Sequence, residues 1–280
     1  MAKRKATVPE LRRMKEQGKK IRMVTAYDYS TGVLVDQTDI ELILVGDSLG
    51  MVVLGYEDTV SVTMEEMIHH SKAVVRGAKN TFIVTDLPFG AYHVSVSEAV
   101  HNAVRLMKEG RADAVKLEGG VEFAGTIEAI VRAGIPVMGH IGLTPQTASA
   151  LGGFRVQGKD LESARRIFAD AKAVEEAGAF AVVLEAVPAP LAKIITEELR
   201  IPTIGIGAGV HCDGQVLVYH DLLGLFDRFV PKFVKQYVRL DREVVKALQS
   251  FSDEVAAGAF PGPEHSFSGN EEELRRALGV

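Results

Sequence analysis

Eight short runs of aliphatic and β-branched residues, each closing on a small, polar or acidic residue, set the architecture this chain can adopt. They are Ile21 to Ala26, Leu42 to Val45, Phe82 to Thr85, Ala114 to Leu117, Pro136 to His140, Ala181 to Leu184, Pro202 to Ile206 and Gln215 to Tyr219. Unbroken apolar runs of this length read as strands buried on both faces, as in a parallel sheet covered by helices. The segments between them have the helical period: Val100, Ala103, Val104 and Met107 fall on one face, as do Leu161, Ala164, Phe168 and Ala171. Ser95 followed by Glu98 predicts a capping box opening the first of these helices. Strand alternating with helix implies parallel strands joined by crossovers, and eight of them are the number that closes a barrel. The expected fold is α/β, a single (β/α)8 TIM-type barrel with additional C-terminal helices, and 280 residues suit one such barrel.

An open doubly wound sheet is the competing architecture, and a dinucleotide-binding fingerprint after the first strand would favour it. The glycine-rich stretch Gly205-Ile206-Gly207-Ala208-Gly209 lacks the GxGxxG spacing and follows the seventh run, so it reads as a tight turn with close backbone approach. No Walker-type lysine motif is present. Residues 1–260 are read as the barrel with an N-terminal arm and a C-terminal helix running from Pro231 to about Phe251. Pro261-Gly262-Pro263 breaks it, and residues 261–280 form a charged C-terminal tail.

Charge narrows the function. A net charge of −5 argues against nucleic acid, because neutralising phosphates takes a basic face, so the expected partner is a small molecule. The basic start (Lys3, Arg4, Lys5, Arg12, Arg13, Lys15) has no apolar stretch behind it, and reads as a solvated arm or amphipathic helix rather than a secretory signal. Apolar stretches such as Ala179 to Leu184 are far shorter than the roughly 20 residues that span a bilayer, so no membrane partner is expected and a cytoplasmic location follows by elimination. Cys212, the one cysteine, excludes an internal disulfide and a cysteine-built zinc site.

In parallel barrels the chemistry sits at the C-terminal ends of the strands. Here those ends are acidic: Asp47-Ser48 after the second run, Asp86 after the third, Glu118 after the fourth and Glu185 after the sixth. One carboxylate after a strand is as readily a helix cap or a surface ion pair. Four on one rim repel each other unless a cation lies among them, and hard oxygen donors without thiolate favour Mg²⁺. Lys116 lies two residues before Glu118 on the same strand face, and a lysine turned into a barrel must be paired or functional. It is either an anchor for a substrate carboxylate or a Schiff-base amine, and spacing does not separate the two.

Among the histidines, His69 and His70 follow Glu65 and Glu66 in an order that is not HExxH and read as helix-surface or interface residues. His211, Cys212 and Asp213 are adjacent, which rarely lets side chains converge on one ion, and a loop after the seventh strand accounts for them. His140 closes the fifth run before the ordered stretch Thr144-Pro145-Gln146, and is either a polar contact in the site or a satisfied core histidine.

Taken together, the stretches Val45-Gly46-Asp47-Ser48-Leu49-Gly50, Thr85-Asp86-Leu87-Pro88-Phe89-Gly90, Val115-Lys116-Leu117-Glu118-Gly119-Gly120, Gly139-His140-Ile141-Gly142-Leu143-Thr144-Pro145-Gln146, Leu184-Glu185-Ala186-Val187-Pro188 and Thr203-Ile204-Gly205-Ile206-Gly207-Ala208-Gly209 resemble the ketopantoate hydroxymethyltransferase family, in that family's order, from about Thr25 to Tyr237. One departure is Ala186, where cysteine would also fit. The resemblance implies a TIM-type barrel that uses Mg²⁺ and moves a one-carbon unit from 5,10-methylenetetrahydrofolate to 3-methyl-2-oxobutanoate. It implies that Asp47 and Asp86 ligate the metal, with Glu118 beside it directly or through water. Asp47, Ser48, Asp86 and Lys116 would bind the oxoacid, and Glu185 would be the general base, set in the apolar run Val182-Val183-Leu184. It also implies a homo-oligomer, a homodecamer of stacked pentamers. A Mg²⁺-dependent carbon–carbon lyase or phosphonomutase-like barrel is the second reading, although nothing here resembles the cysteine-containing loop of such lyases. A non-catalytic assembly scaffold is the third, and it predicts a broken carboxylate set where this one is intact.

Overall fold

The computed structural model describes residues 3–150, 152–153, 155–226 and 228–280. Its centre is a closed barrel in which strands β1 (Ile21–Thr25), β2 (Leu42–Val45), β3 (Phe82–Asp86), β4 (Ala114–Glu118), β5 (Val137–Gly142), β6 (Ala181–Glu185), β7 (Thr203–Ile206) and β8 (Gly214–Leu217) pair parallel in sequence order, β8 returning to β1. The eight apolar runs are the eight strands, displaced at their ends by one or two residues. Helices cover the outside: α1 (Val8–Glu16), α2 (Tyr29–Asp36), α3 (Leu49–Val52), α4 (Met64–Gly77), α5 (Val96–Lys108), α6 (Ala124–Arg132), α7 (Leu161–Glu176), α8 (Ala189–Glu198) and α9 (Tyr219–Leu223). Beyond them lie α10 (Leu240–Ala256) and α11 (Glu271–Leu278). No helix among the described residues is long and apolar enough to cross a membrane.

Strand alternation divides the core in two. One set of residues, among them Val24, Ile43, Ile83, Val115, Val137, Val182 and Leu184, faces outward against the helices. The other set, including Met23, Leu44, Val84, Ala114, Met138, Val183 and Ile204, fills the barrel interior. Helix α7 sits close enough to β5 that a Cβ on Gly139 would lie 2.4 Å from Val174 Cγ1, so only glycine fits there.

Three local expectations change. The capping box at α5 is half-made: the Ser95 side chain accepts from the Glu98 N–H at 3.2 Å, without the reciprocal bond. Reciprocal boxes occur instead at Thr63/Glu66 and Asp160/Ser163. The helix expected from Pro231 begins only at Leu240; ahead of it Phe226, Arg228, Phe229, Pro231, Lys232 and Phe233 line the barrel mouth outside any helix. Finally, of the two readings of the basic N-terminal segment, the solvated arm gives way to the amphipathic helix. Helix α1 buries Leu11 among Ile21, Leu42 and Phe82 on the barrel floor, worth roughly 1.5–3 kcal/mol. Lys5 and Lys15 secure it by ion pairs to Asp113 and Asp213, each at 2.7 Å.

A carboxylate-lined candidate active site at the barrel mouth

The alternation that sends Val84 and Ala114 inward also turns Asp86, Lys116 and Glu118 inward, one step nearer the strand C-termini. Strand register sets the neighbours: Asp86 lies beside Lys116, and Glu118 beside His140. Asp47 and Ser48 follow β2 where the chain turns into α3, and Glu185 ends β6. All seven side chains singled out in the sequence line one cavity of about 560 Å³, in the size range of small-molecule sites.

Lys116 is the hub. Its Nζ stands 2.9 Å from Asp86 Oδ1 and 3.1 Å from His140 Nδ1. Burial works against the charged amine, yet Asp86, Glu118 and Asp47 together hold its pKa above the ordinary lysine value. His140 Nε2 is 3.0 Å from the Leu143 carbonyl and 3.2 Å from Glu185 Oε2. A carbonyl only accepts and an ammonium only donates, so Nε2 carries the proton and Nδ1 receives the bond from Lys116. His140 is therefore neutral, in agreement with a pKa lowered first by burial and then by Lys116. Both readings of this residue hold at once, since it is a buried, satisfied histidine and also a contact of the site.

Three carboxylates act on this ammonium, and Glu185 lines the same cavity. Burial, then the charge of Asp86, pushes Asp47 up to about 7, and burial, then Asp47, raises Glu118 well above the usual carboxylate range. The surplus of negative charge suits a cation. Asp86 Oδ1 lies 2.9 Å from the Lys116 ammonium and Oδ2 accepts from the Asp47 N–H at 3.1 Å, and each carboxylate oxygen keeps a further lone pair for a hard metal. No three acidic, His or Cys side chains among the described residues converge tightly enough to cage an ion alone. Mg²⁺ does not require such a cage, because it takes one or two carboxylates and fills its octahedron with water and substrate oxygens. The donor set therefore fits Mg²⁺ on Asp47 and Asp86.

Sequence reasoning missed what orients these groups. Gln146, on the turn after β5, donates from Nε2 to Asp47 Oδ2 at 2.8 Å and to the Leu87 carbonyl at 3.0 Å, while its backbone N–H donates to Glu118 Oε2 at 3.0 Å. The Tyr92 hydroxyl donates to Gln146 Oε1 at 2.7 Å and lies 3.2 Å from the Glu118 N–H, which it accepts. The Tyr27 hydroxyl pairs with Ser48 Oγ at 2.8 Å. Gln146 closes the stretch Gly139 to Gln146, but no spacing rule connects it with Asp47, ninety-nine positions away. The surroundings of Glu185 also differ from expectation: Val182 and Leu184 point outward to the helices, so the carboxylate meets His140 rather than an apolar wall. Ala186, just after it, takes the left-handed conformation with φ 48°, turning the chain sharply out of β6.

The decoys resolve. Asp213 accepts from Lys15 and from the Thr203 N–H near the floor, remote from any ion site. Exposed His69 and half-buried His70 lie on α4, where His70 Nδ1 is 2.6 Å from the Tyr27 carbonyl. Gly207, with φ 65°, gives the close approach expected of its stretch: a Cβ there would lie 2.7 Å from Phe233 Cδ1.

A parallel (β/α)8 barrel with carboxylates and one buried lysine gathered in a cavity at the strand C-termini has the layout of an α/β-barrel enzyme. The sequence pattern of the family described as ketopantoate hydroxymethyltransferase matches residues 5–263, and the chain belongs to that family. It is 61% identical to the 3-methyl-2-oxobutanoate hydroxymethyltransferase of Heliobacterium modesticaldum over 97% of this chain and 98% of the relative. With that of Moorella thermoacetica it shares 63% identity over 95% and 100% of the two chains. Among solved structures it is similar to phosphonopyruvate hydrolase in complex with oxalate and Mg²⁺, at 14% identity and a TM-score of 0.59 over 97% of both chains. It is similar also to phosphoenolpyruvate phosphomutase from Streptomyces platensis subsp. rosaceus, at 15% identity and a TM-score of 0.61 over 98% and 96% of the two chains. At such identity the last two likenesses are of fold alone.

Proposed function

We propose that this chain transfers a hydroxymethyl group from 5,10-methylenetetrahydrofolate to 3-methyl-2-oxobutanoate, giving ketopantoate for pantothenate and coenzyme A biosynthesis. The observation that carries the reading is the convergence of Asp47, Asp86, Lys116, Glu118, His140 and Glu185 on one cavity in a chain of this family. Overall, the oxoacid, the methylene donor and one water become ketopantoate and tetrahydrofolate.

Asp47 and Asp86 would hold Mg²⁺, and Glu118, committed to the Gln146 N–H, would reach it through water. Bound there, the metal supplies Lewis-acid polarisation of the oxoacid's keto oxygen. Lys116 and Ser48 would hold the oxoacid, the ammonium by charge and the hydroxyl by a hydrogen bond. Glu185 takes the proton from carbon 3 of the oxoacid, and the electron pair released moves to the keto oxygen as an enolate. His140, donating from Nε2, holds the Glu185 carboxylate toward the mouth. Carbon 3 then bonds to the one-carbon unit as both of that carbon's bonds to the folate nitrogens break and the oxygen of water takes their place; the proton held by Glu185 and the two of water end on the new hydroxyl and the two folate nitrogens. The charge held on Lys116 favours an electrostatic anchor over a Schiff-base amine, which must lose its proton to react.

Assembly into a homo-oligomer, ten copies by family resemblance, belongs to the same proposal. Its support is α10, whose Val244, Val245, Leu248, Phe251 and Val255 are exposed at helical spacing. Sedimentation of the full chain measures the copy number.

The test of function is ketopantoate formation from the two substrates with Mg²⁺, after chelation, and in Glu185→Gln. Metal-dependent product that disappears in the variant is the expected result. A folded, metal-loaded protein that makes none refutes the assignment.

A further inference from the structure

The mouth holds a charged group that the steps above do not use. Asp221, on α9 just beyond β8, lines the same cavity as the Asp47 and Asp86 set and is 9% exposed. Among the described residues, no side chain or backbone N–H donates to its carboxylate, and no lysine, arginine or histidine pairs with it. Burial alone pushes its pKa up to about 6, as for a carboxylate without a compensating partner. An orphan charge of this kind is costly to keep, and a ligand that arrives with donors removes the cost.

The two reactants differ in what they offer it. The oxoacid presents only acceptors, a carboxylate and a keto oxygen, and Asp221 repels it. Tetrahydrofolate carries on its pterin ring a 2-amino group next to a ring N–H, two parallel donors that match the two oxygens of a carboxylate. The same cavity is also lined by flat apolar groups from the stretch after α9, Phe226, Phe229 and Phe233. Phe233 packs over Gly207, and Arg228 ties the segment across the mouth by donating to the carbonyls of Gly55 and Tyr56, each at 3.0 Å. A second unmet polar atom of the cavity, the buried Thr59 Oγ1, has no hydrogen-bond partner among the described residues.

We infer that Asp221 is the pterin-recognition residue: its carboxylate accepts the 2-amino and ring N–H donors of the folate, whose ring lies against Phe226, Phe229 and Phe233. The inference rests on the folate-dependent reading above and adds the pocket for the one-carbon donor. It puts the two reactants on different parts of one mouth, the oxoacid over the β2, β3 and β4 ends and the pterin beside β8.

The experiment measures binding of tetrahydrofolate, which lacks the transferable carbon, to the full chain with Mg²⁺ by anaerobic calorimetry. Wild type and Asp221→Asn are compared, each with tetrahydrofolate and with its 2-desamino analogue. The expected results are roughly 30- to 100-fold weaker tetrahydrofolate binding in the variant, a similar loss when wild type meets the analogue, and analogue binding indifferent to the substitution. The wild-type comparison of the two ligands stands even if the variant fails to fold. Equal affinity of both proteins for tetrahydrofolate overturns the Asp221 assignment and leaves the reaction standing, as does wild-type binding indifferent to the 2-amino group. Wild type that binds no tetrahydrofolate overturns both.

Discussion

Gln146 Nε2 lies 2.8 Å from Asp47 Oδ2, a bond that joins the turn after β5 to the loop after β2 across the barrel mouth. The same residue reaches Glu118 through its backbone and is itself fixed by Tyr92, so one residue sets the orientation of carboxylates from two strands. Both partners are buried, and neither can turn to water for a substitute bond.

Gln146→Leu is therefore expected to weaken Mg²⁺ binding about 10- to 100-fold, the usual cost of losing a group that orients a metal ligand. It should also destabilise the metal-free protein by about 2–4 kcal/mol, because the Tyr92 hydroxyl and Leu87 carbonyl lose their partner. Titration calorimetry of the chelated protein and urea melts read the two effects. Unchanged metal affinity would deny Gln146 this role.

Lys116→Met removes the ammonium facing Asp47, Asp86 and Glu118 and should cost about 3–5 kcal/mol in the metal-free protein, by leaving buried carboxylates uncompensated. In the metal-loaded protein the KM for the oxoacid should rise. Borohydride added to wild type with 3-methyl-2-oxobutanoate should leave the protein mass unchanged. A reduced imine on Lys116 would overturn its role as an anchor.

Asp221 predicts a pH dependence of stability. Its folded pKa of about 6 lies above the ordinary value of 3.8, so the folded state binds this proton more tightly than the unfolded chain. The contribution is complete below the unfolded value and is lost as pH rises through about 6. In ligand-free protein Asp221→Asn should consequently gain about 1–2 kcal/mol over wild type at pH 7, and much less near pH 4. Denaturant melts of both proteins across that range check the slope, and a pH-independent difference would contradict it.

Gly207→Ala places a Cβ 2.7 Å from Phe233 at a backbone conformation with φ 65°. The expected outcome is a loss of about 1–2 kcal/mol in stability. The displaced ring should raise the KM for the folate more than that for the oxoacid. Steady-state kinetics with each substrate varied in turn would show the split.

The single sequence determined a great deal here, because its signals are local. Eight apolar runs separated by helical periods announce the closed barrel, and period-two alternation along Ala114, Lys116 and Glu118 turns the last two into its mouth. Acids at the ends of β2, β3, β4 and β6 mark one cavity, since a parallel barrel brings all its strand C-termini to one face. Chain ends and crossings were less legible. The α1 plug and the placing of Phe226, Phe229 and Phe233 at the mouth depend on surfaces brought together from far away in sequence, which no local period encodes.

The electrostatics were decided by the tertiary structure alone. That His140 is neutral follows from a lysine on β4 and a carbonyl beyond β5 flanking its two nitrogens. That Asp47 is held by Gln146 while Asp221 has no partner among the described residues follows from which groups the closed barrel brings within 3 Å and which it does not. Residue type fixes what a side chain can donate or accept, and burial with neighbours drawn from distant strands fixes what it must do.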